Sequence, residues 1–130
     1  MTHCIQPSLP RDRMVFVYEY PASQASLARL SPRDERVAER FELYIGGVEL
    51  ANGFRELLDA EEQRARFQAE LSQRRSRGLQ EVPLDERFLS ALGQGIPDCS
   101  GVALGFDRLV MLAAGKRSLD EVMAFSSSRA

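Results

Sequence analysis

Three carboxylates and an amide in the run RFELYIGGVELANGFREL, residues 40–57, have the types and spacing to do chemistry: Glu42, Glu49, Asn52 and Glu56. Acidic residues are depleted in strands, so three of them within an apolar alternation need either a solvent-facing sheet surface or a ligand. If a ligand is the reason, the carboxylates offer hard oxygen to Mg²⁺ on a nucleotide, and one of them pairs with a substrate ammonium. Asn52, flanked by Ala51, Gly53 and Phe54, interrupts a good strand and presents both a donor and an acceptor to a small molecule. A second group is GVALGFDRLVML, residues 101–112. Its glycines let a flat ring approach the backbone, and Arg108 carries a permanently charged fork suited to phosphate oxygens. A buried strand and helix with one paired arginine fits the same letters, and the pattern alone leaves both readings open.

The elements that must position these groups follow from periodicity and punctuation. Residues 37–45 and 48–57 are two strand-like runs joined by Gly46 and Gly47, a pair able to take the positive φ angles of a tight hairpin. Residues 14–20 (MVFVYEY) form a strand ending at Pro21, and PASQASLARLSP reads as irregular. Asp59 with Glu62 resembles a capping box opening a helix that runs to Arg77, before Gly78. Glu62 with Arg66, and Glu70 with Arg74, are acid-to-base pairs one turn apart, and Phe67 and Leu71 face inward. The arginines 74, 75 and 77 read as a solvated, dipole-complementing helix end. Residues 85–92 form a shorter helix and GQGIPDCSG a loop. Residues 101–106 form a buried strand, after which Asp107 caps a last helix through Ala114. Side chains alternate faces along a strand, so Glu49 shares a surface with Asn52 and Glu56 only if the pairing breaks near Leu50, Ala51 or Asn52. With such a break, Glu42, Glu49, Asn52 and Glu56 are expected to converge on one concave surface beside Gly105 and Arg108.

The first dozen residues, with Pro7 and Pro10, read as a linker or disordered arm, and residues 126–128 as a frayed end. One domain, residues 13–130, remains. The whole has 130 residues, 44% hydrophobic and 28% charged, the makeup of one soluble globular domain. A net charge of -2 gives no general positive field for nucleic acid. Cys4 and Cys99 form neither a disulfide framework nor a zinc cluster, which fits a reducing cytoplasm. No apolar run reaches membrane-span length, and no export signal is seen.

Taken in order, ERFELYIGGVELANGFREL, a charged helix and GVALGFDRLVML resemble the C-terminal part of the class II lysyl-tRNA synthetase core, the last run being its motif 3. The resemblance covers residues 14–125. YPASQASLARL, PDCSGVALG and AFSSSRA are more similar to the small stand-alone paralogues, the elongation factor P lysine ligases. The resemblance implies an α+β fold, an antiparallel sheet flanked by helices, and a homodimer in the complete protein. It also implies ATP-dependent activation of lysine or β-lysine, followed by transfer to a lysine side chain of elongation factor P and not to tRNA. By the same resemblance Glu42 and Glu49 hold Mg²⁺ and ATP, and Leu50 lies beside the nucleotide. Asn52 and Glu56 line the amino-acid pocket, with Glu56 facing the distal ammonium. Gly101 and Gly105 form the adenosine platform, and Arg108 is the catalytic motif 3 arginine on the γ-phosphate. Ala103 stands where the synthetases commonly have glycine; its methyl group either biases the choice between α-lysine and a β-amino isomer, by roughly 1–3 kcal/mol, or is a packing adjustment, and the isomer stays open. Nothing in the chain resembles motifs 1 and 2, so a fragment holding about half an active site, inactive alone, is expected. A tRNA-charging core and a noncatalytic binding module are the competing readings.

Overall fold

A computed structural model describes residues 5–126 and 129. It is an α+β structure whose strand order is β1-β3-β4-β5, where β1 is Met14–Pro21, β3 is Asp34–Ile45, β4 is Val48–Arg55 and β5 is Ser100–Leu104. A two-residue strand, β2 (Leu30–Ser31), pairs antiparallel with β3, Leu30 opposite Ala38. The helices are α1 (Ala60–Ser76), α2 (Glu86–Gly93) and α3 (Phe106–Ala113). The chain divides into two compact units. The first takes residues up to Tyr18, Phe41–Gly53 and the stretch from Val102 onward; the second takes Glu19–Arg40 and Phe54–Gly101.

Gly46 and Gly47 make the expected turn, with φ of 60° and 80°, a geometry that a side chain would strain. A two-residue turn sets Ile45 opposite Val48, so even positions of β3 share a face with odd positions of β4. Farther along, the segment 27–30 lies between the two strands, with Glu39 N bonded to Arg29 O at 2.9 Å and Arg29 N to Arg55 O at 3.0 Å; across it the Arg40 guanidinium lies 5.8 Å from the ring centre of Phe54, and Arg55 pairs with Glu39 at 3.5 Å. β3 keeps its alternation, since Ala38, Glu42 and Tyr44 are all buried. From Leu50 to Glu56, β4 runs in step with the β5 segment, as Gly105 N donates to Leu50 O at 2.9 Å and Glu56 N to Cys99 O at 3.0 Å.

Several expectations need correction. The strand expected to begin at Val37 begins at Asp34, where Asp34 grips its neighbour Arg36 at 2.8 Å. The segment expected to be irregular contains a short helical turn, Ala22–Gln24, and β2. The strand expected to be buried, residues 101–106, is β5, where Val102 is 63% and Leu104 48% exposed; it stands last in the strand order, with a partner on one side. Asp107 does not cap α3. Gly105 is the N-cap, extended and without a side chain to bond, because its N–H is held by Leu50 while its carbonyl already accepts from Leu109 N at 2.9 Å. Ser126, expected to fray, is buried, and residues 127 and 128 lie outside the described residues. In the stretch expected to be an arm, Gln6–Ser8 forms a helical turn and Gln6 Nε2 donates to Gly47 O at 3.1 Å.

α1 starts where its sequence directs. The Asp59 carboxylate accepts from Glu61 N and Glu62 N at 2.9 and 3.0 Å, satisfying two of the orphaned donors of a helix start. Arg66 meets Glu62 at 2.5 Å as expected, whereas Arg74 turns to Gln80 O at 3.0 Å and Arg75 to Glu81 at 2.8 Å. Phe67 meets Phe88 of α2, ring centres 6.1 Å apart. Asp85 caps α2 through Phe88 N at 2.9 Å. Within the second unit, Ala25, Ala28 and Ala38 form a small core against Leu30 and Phe54.

Candidate active site

In the first unit, the turn from β5 into α3 closes on β4. Arg108 Nη1 donates to Glu49 O at 2.7 Å, and Gly105 N takes the next carbonyl, that of Leu50, at 2.9 Å. Adjacent carbonyls of a strand face opposite edges, and here one is met by a side chain and the other by a peptide N–H. The same closeness explains Gly105: a Cβ there would stand 3.2 Å from Arg108 Cδ. Arg108 is thereby held by one of its five donors and has others to offer an anion. Glu42 is buried and accepts a hydrogen bond from the Tyr44 hydroxyl. Glu49 and Asn52 are half-buried, as Leu50 is buried and Ala103 exposed. Among the described residues no three metal-binding side chains cluster. Nucleotide-bound Mg²⁺ needs only one or two carboxylates, with phosphates and waters completing its shell; the two expected to hold it are Glu42, buried, and Glu49, half-buried.

In the second unit, Glu56 and Gly101 come together. A Cβ built on Gly101 would lie 2.4 Å from Glu56 Oε1 and 3.6 Å from Glu56 Cδ; the carboxylate occupies the room that the missing side chain leaves. Glu56 is half-buried, and among the described residues its carboxylate has neither an ion pair nor a hydrogen-bond donor.

The groups that flank Glu56 were not legible in advance. Arg55 grips Asp98 with two bonds, Nε to Oδ1 at 3.1 Å and Nη2 to Oδ2 at 2.5 Å. Arg29 reaches Glu39 at 3.3 Å and Asp98 at 3.6 Å, and Glu39 reaches Arg55 at 3.5 Å, closing an alternating ring of two cations and two anions. Hydrogen bonding from Arg55 holds the Asp98 carboxyl below its usual value, and Asp98 in turn raises the Arg55 guanidinium above its own. Two clefts of this unit, about 310 and 490 Å³, are lined largely by α1 and hold none of the expected site residues. Among the described residues, no helix is long and apolar enough to cross a membrane.

Residues 6–129 match the family of class II tRNA synthetases (D, K and N). Among curated proteins, the elongation factor P–(R)-β-lysine ligase of Klebsiella pneumoniae is 57% identical over 126 residues, 97% of this chain and 39% of that protein. The ligase of the same name from Proteus mirabilis is 58% identical over the same shares of each. That of Pectobacterium atrosepticum is 57% identical over 129 residues, 99% of this chain and 40% of the relative. The chain thus spans about two fifths of the length of the curated relatives it matches. It belongs to the class II tRNA synthetase (D, K and N) family.

Proposed function

We propose that this chain is part of a ligase that uses ATP to activate (R)-β-lysine, or lysine itself, and transfers it to a lysine side chain of elongation factor P. The observation that carries the reading is Glu56, a half-buried carboxylate without a described partner, seated against Gly101. It is suited to the distal ammonium of a lysine-type substrate. The names of the relatives, at 57% identity, supply the acceptor and the β-amino isomer.

Bound Mg²⁺–ATP would supply an activated phosphorus and charge neutralisation. Glu42 and Glu49 would hold the metal, Leu50 would border the nucleotide, Gly105 would leave room for the adenine ring, and Arg108 would steady the outer phosphate. Asn52, Glu56 and Ala103 would receive the amino acid. Gly101, expected on the adenosine platform, is better used in seating Glu56. The substrate carboxylate attacks the α-phosphorus and pyrophosphate leaves; the acceptor amine then attacks the acyl carbon and AMP leaves. No enzyme nucleophile is needed, and catalysis rests on positioning and electrostatics. The complete protein would act as a cytoplasmic homodimer, with protein and not tRNA as acceptor.

The test is ATP–pyrophosphate exchange by a protein of the relatives' full length carrying this sequence, with α-lysine and (R)-β-lysine, followed by transfer to elongation factor P or tRNA. Exchange with a lysine isomer and transfer to the protein are expected, and Glu56→Gln should raise the KM for the amine far more than that for ATP. Exchange with neither isomer, or acylation of tRNA alone, overturns the reading. The 130-residue chain by itself should support no exchange.

A further inference from the structure

We propose that Arg55 and Asp98 are positioning residues that set the Glu56 carboxylate against Gly101 and so fix where a substrate ammonium docks; this rests on the reading of Glu56 given above. Arg55 and Glu56 are consecutive on a strand, so their side chains leave opposite faces. The face that carries Arg55 is anchored by the fork to Asp98, while the Glu56 carboxylate is seated at Gly101. Between β4 and the loop leading to β5, two kinds of bond alternate. Arg55 holds Asp98 through its side chain at 3.1 and 2.5 Å, and the next residue of each segment is joined through backbone, Glu56 N to Cys99 O at 3.0 Å. Two residues farther on is Gly101, at which Glu56 Oε1 is seated. The start of β5, which carries Gly101, is therefore registered on Glu56 by the Arg55–Asp98 fork and one peptide bond's N–H.

The opposite edge of the same segment is fixed independently, with Arg29 N bonded to Arg55 O at 3.0 Å and Leu57 N to Leu27 O at 2.9 Å. Arg29 and Glu39 close the ring behind the fork. Glu39 Oε2 is buried without a hydrogen bond of good geometry, so the ring is held there by charge, and Arg55–Asp98 is its one bidentate contact. The side chains of Arg55 and Asp98 are 38% and 51% exposed. A pair that open contributes little to global stability, so two bonds aimed across two segments are better explained by the alignment they impose. A misplacement of about 1 Å at a reacting or binding group costs up to roughly a hundredfold.

Asp98→Asn, Arg55→Gln and the double variant, each in the full-length protein, test the proposal through the KM for the amine, the KM for ATP, kcat and thermal unfolding. Each single variant should raise the amine KM about tenfold with the ATP KM within about twofold and unfolding unchanged, and the double should be no worse than either single, since both remove one alignment. Should Asp98→Asn not fold, Asp98→Glu, which keeps the charge and lengthens the arm, should give the same amine-selective rise. An unchanged amine KM, equal losses for amine and ATP, or additive losses in the double overturns the proposal. A wild-type protein whose exchange ignores the amine overturns the reading of Glu56 instead.

Discussion

Replacing Gly101 by alanine would place a methyl carbon 2.4 Å from Glu56 Oε1, where ordinary contact begins at 3.4 Å. The oxygen must retreat by about 1 Å. Because the obstructing atom ends a flexible side chain, the fold can yield by rotating Glu56, at a cost of about 0.5–1.5 kcal/mol. Removing a glycine stiffens the unfolded chain and returns about 0.4–1 kcal/mol. The two nearly cancel, so stability in urea should stay within about 1 kcal/mol of wild type. Function should not be spared. Lengthening a carboxylate–ammonium contact from about 3 to about 4 Å at an effective dielectric near 20 removes about 1.4 kcal/mol, or roughly tenfold in affinity. Calorimetric titration of the full-length Gly101→Ala protein with lysine and (R)-β-lysine, beside a titration with ATP, reads this directly. Amine affinity within twofold of wild type would show that Glu56 does not act from its seat at Gly101. A stability loss above about 3 kcal/mol would show that the seat serves the fold.

Arg108→Ala removes the bond to Glu49 O at 2.7 Å and a charge for phosphate; it should raise the ATP KM about tenfold or more with circular dichroism unchanged, and loss of helix signal would assign the arginine to structure. Asp59→Ala strips the two bonds that open α1 and should lower unfolding stability by about 1 kcal/mol; no change in the urea midpoint would mean that the helix start is held by tertiary contacts. The acid side of the pH–stability curve has a definite sign. Asp98 is held below its ordinary 3.8 by hydrogen bonding from Arg55, and Asp34 is lowered to about 2 by Arg36. Each contributes stability that is fully present above the unfolded carboxylate value and is lost as pH falls through the depressed one. A carbon-detected titration should put Asp98 below 3.8 in wild type and higher in Arg55→Gln; equal midpoints would refute the coupling.

The hairpin was readable because two adjacent glycines leave few options, and α1 and α2 because Asp59 and Asp85 announce their starts. What escaped the sequence depends on partners distant in the chain. Nothing local to DERVAER says that a strand begins at Asp34; its pairing with β2 does. The start of α3 was misplaced because Asp107 is the better capping residue, yet the bond from Gly105 N to Leu50 sets the boundary earlier. Arg29, Glu39, Arg55 and Asp98 come from separate segments, and each alone reads as an ordinary surface charge. The spacing of Gly101 to Gly105 suggests a ring platform; nothing local to it says that the Glu56 carboxylate stands where its side chain would be.

The ring of Arg29, Glu39, Arg55 and Asp98 also has an electrical consequence. Two positive and two negative groups alternating around a closed path cancel both in sum and, to first order, in dipole, so their combined potential dies away much faster with distance than that of a single charge. A ligand approaching Glu56 through solvent would therefore feel little from four nearby charged side chains and much from one. Discrimination for a cationic end would persist although the surrounding surface carries as many guanidinium as carboxylate groups. Its reach would be set by the screening length of the medium, about 8 Å at physiological salt.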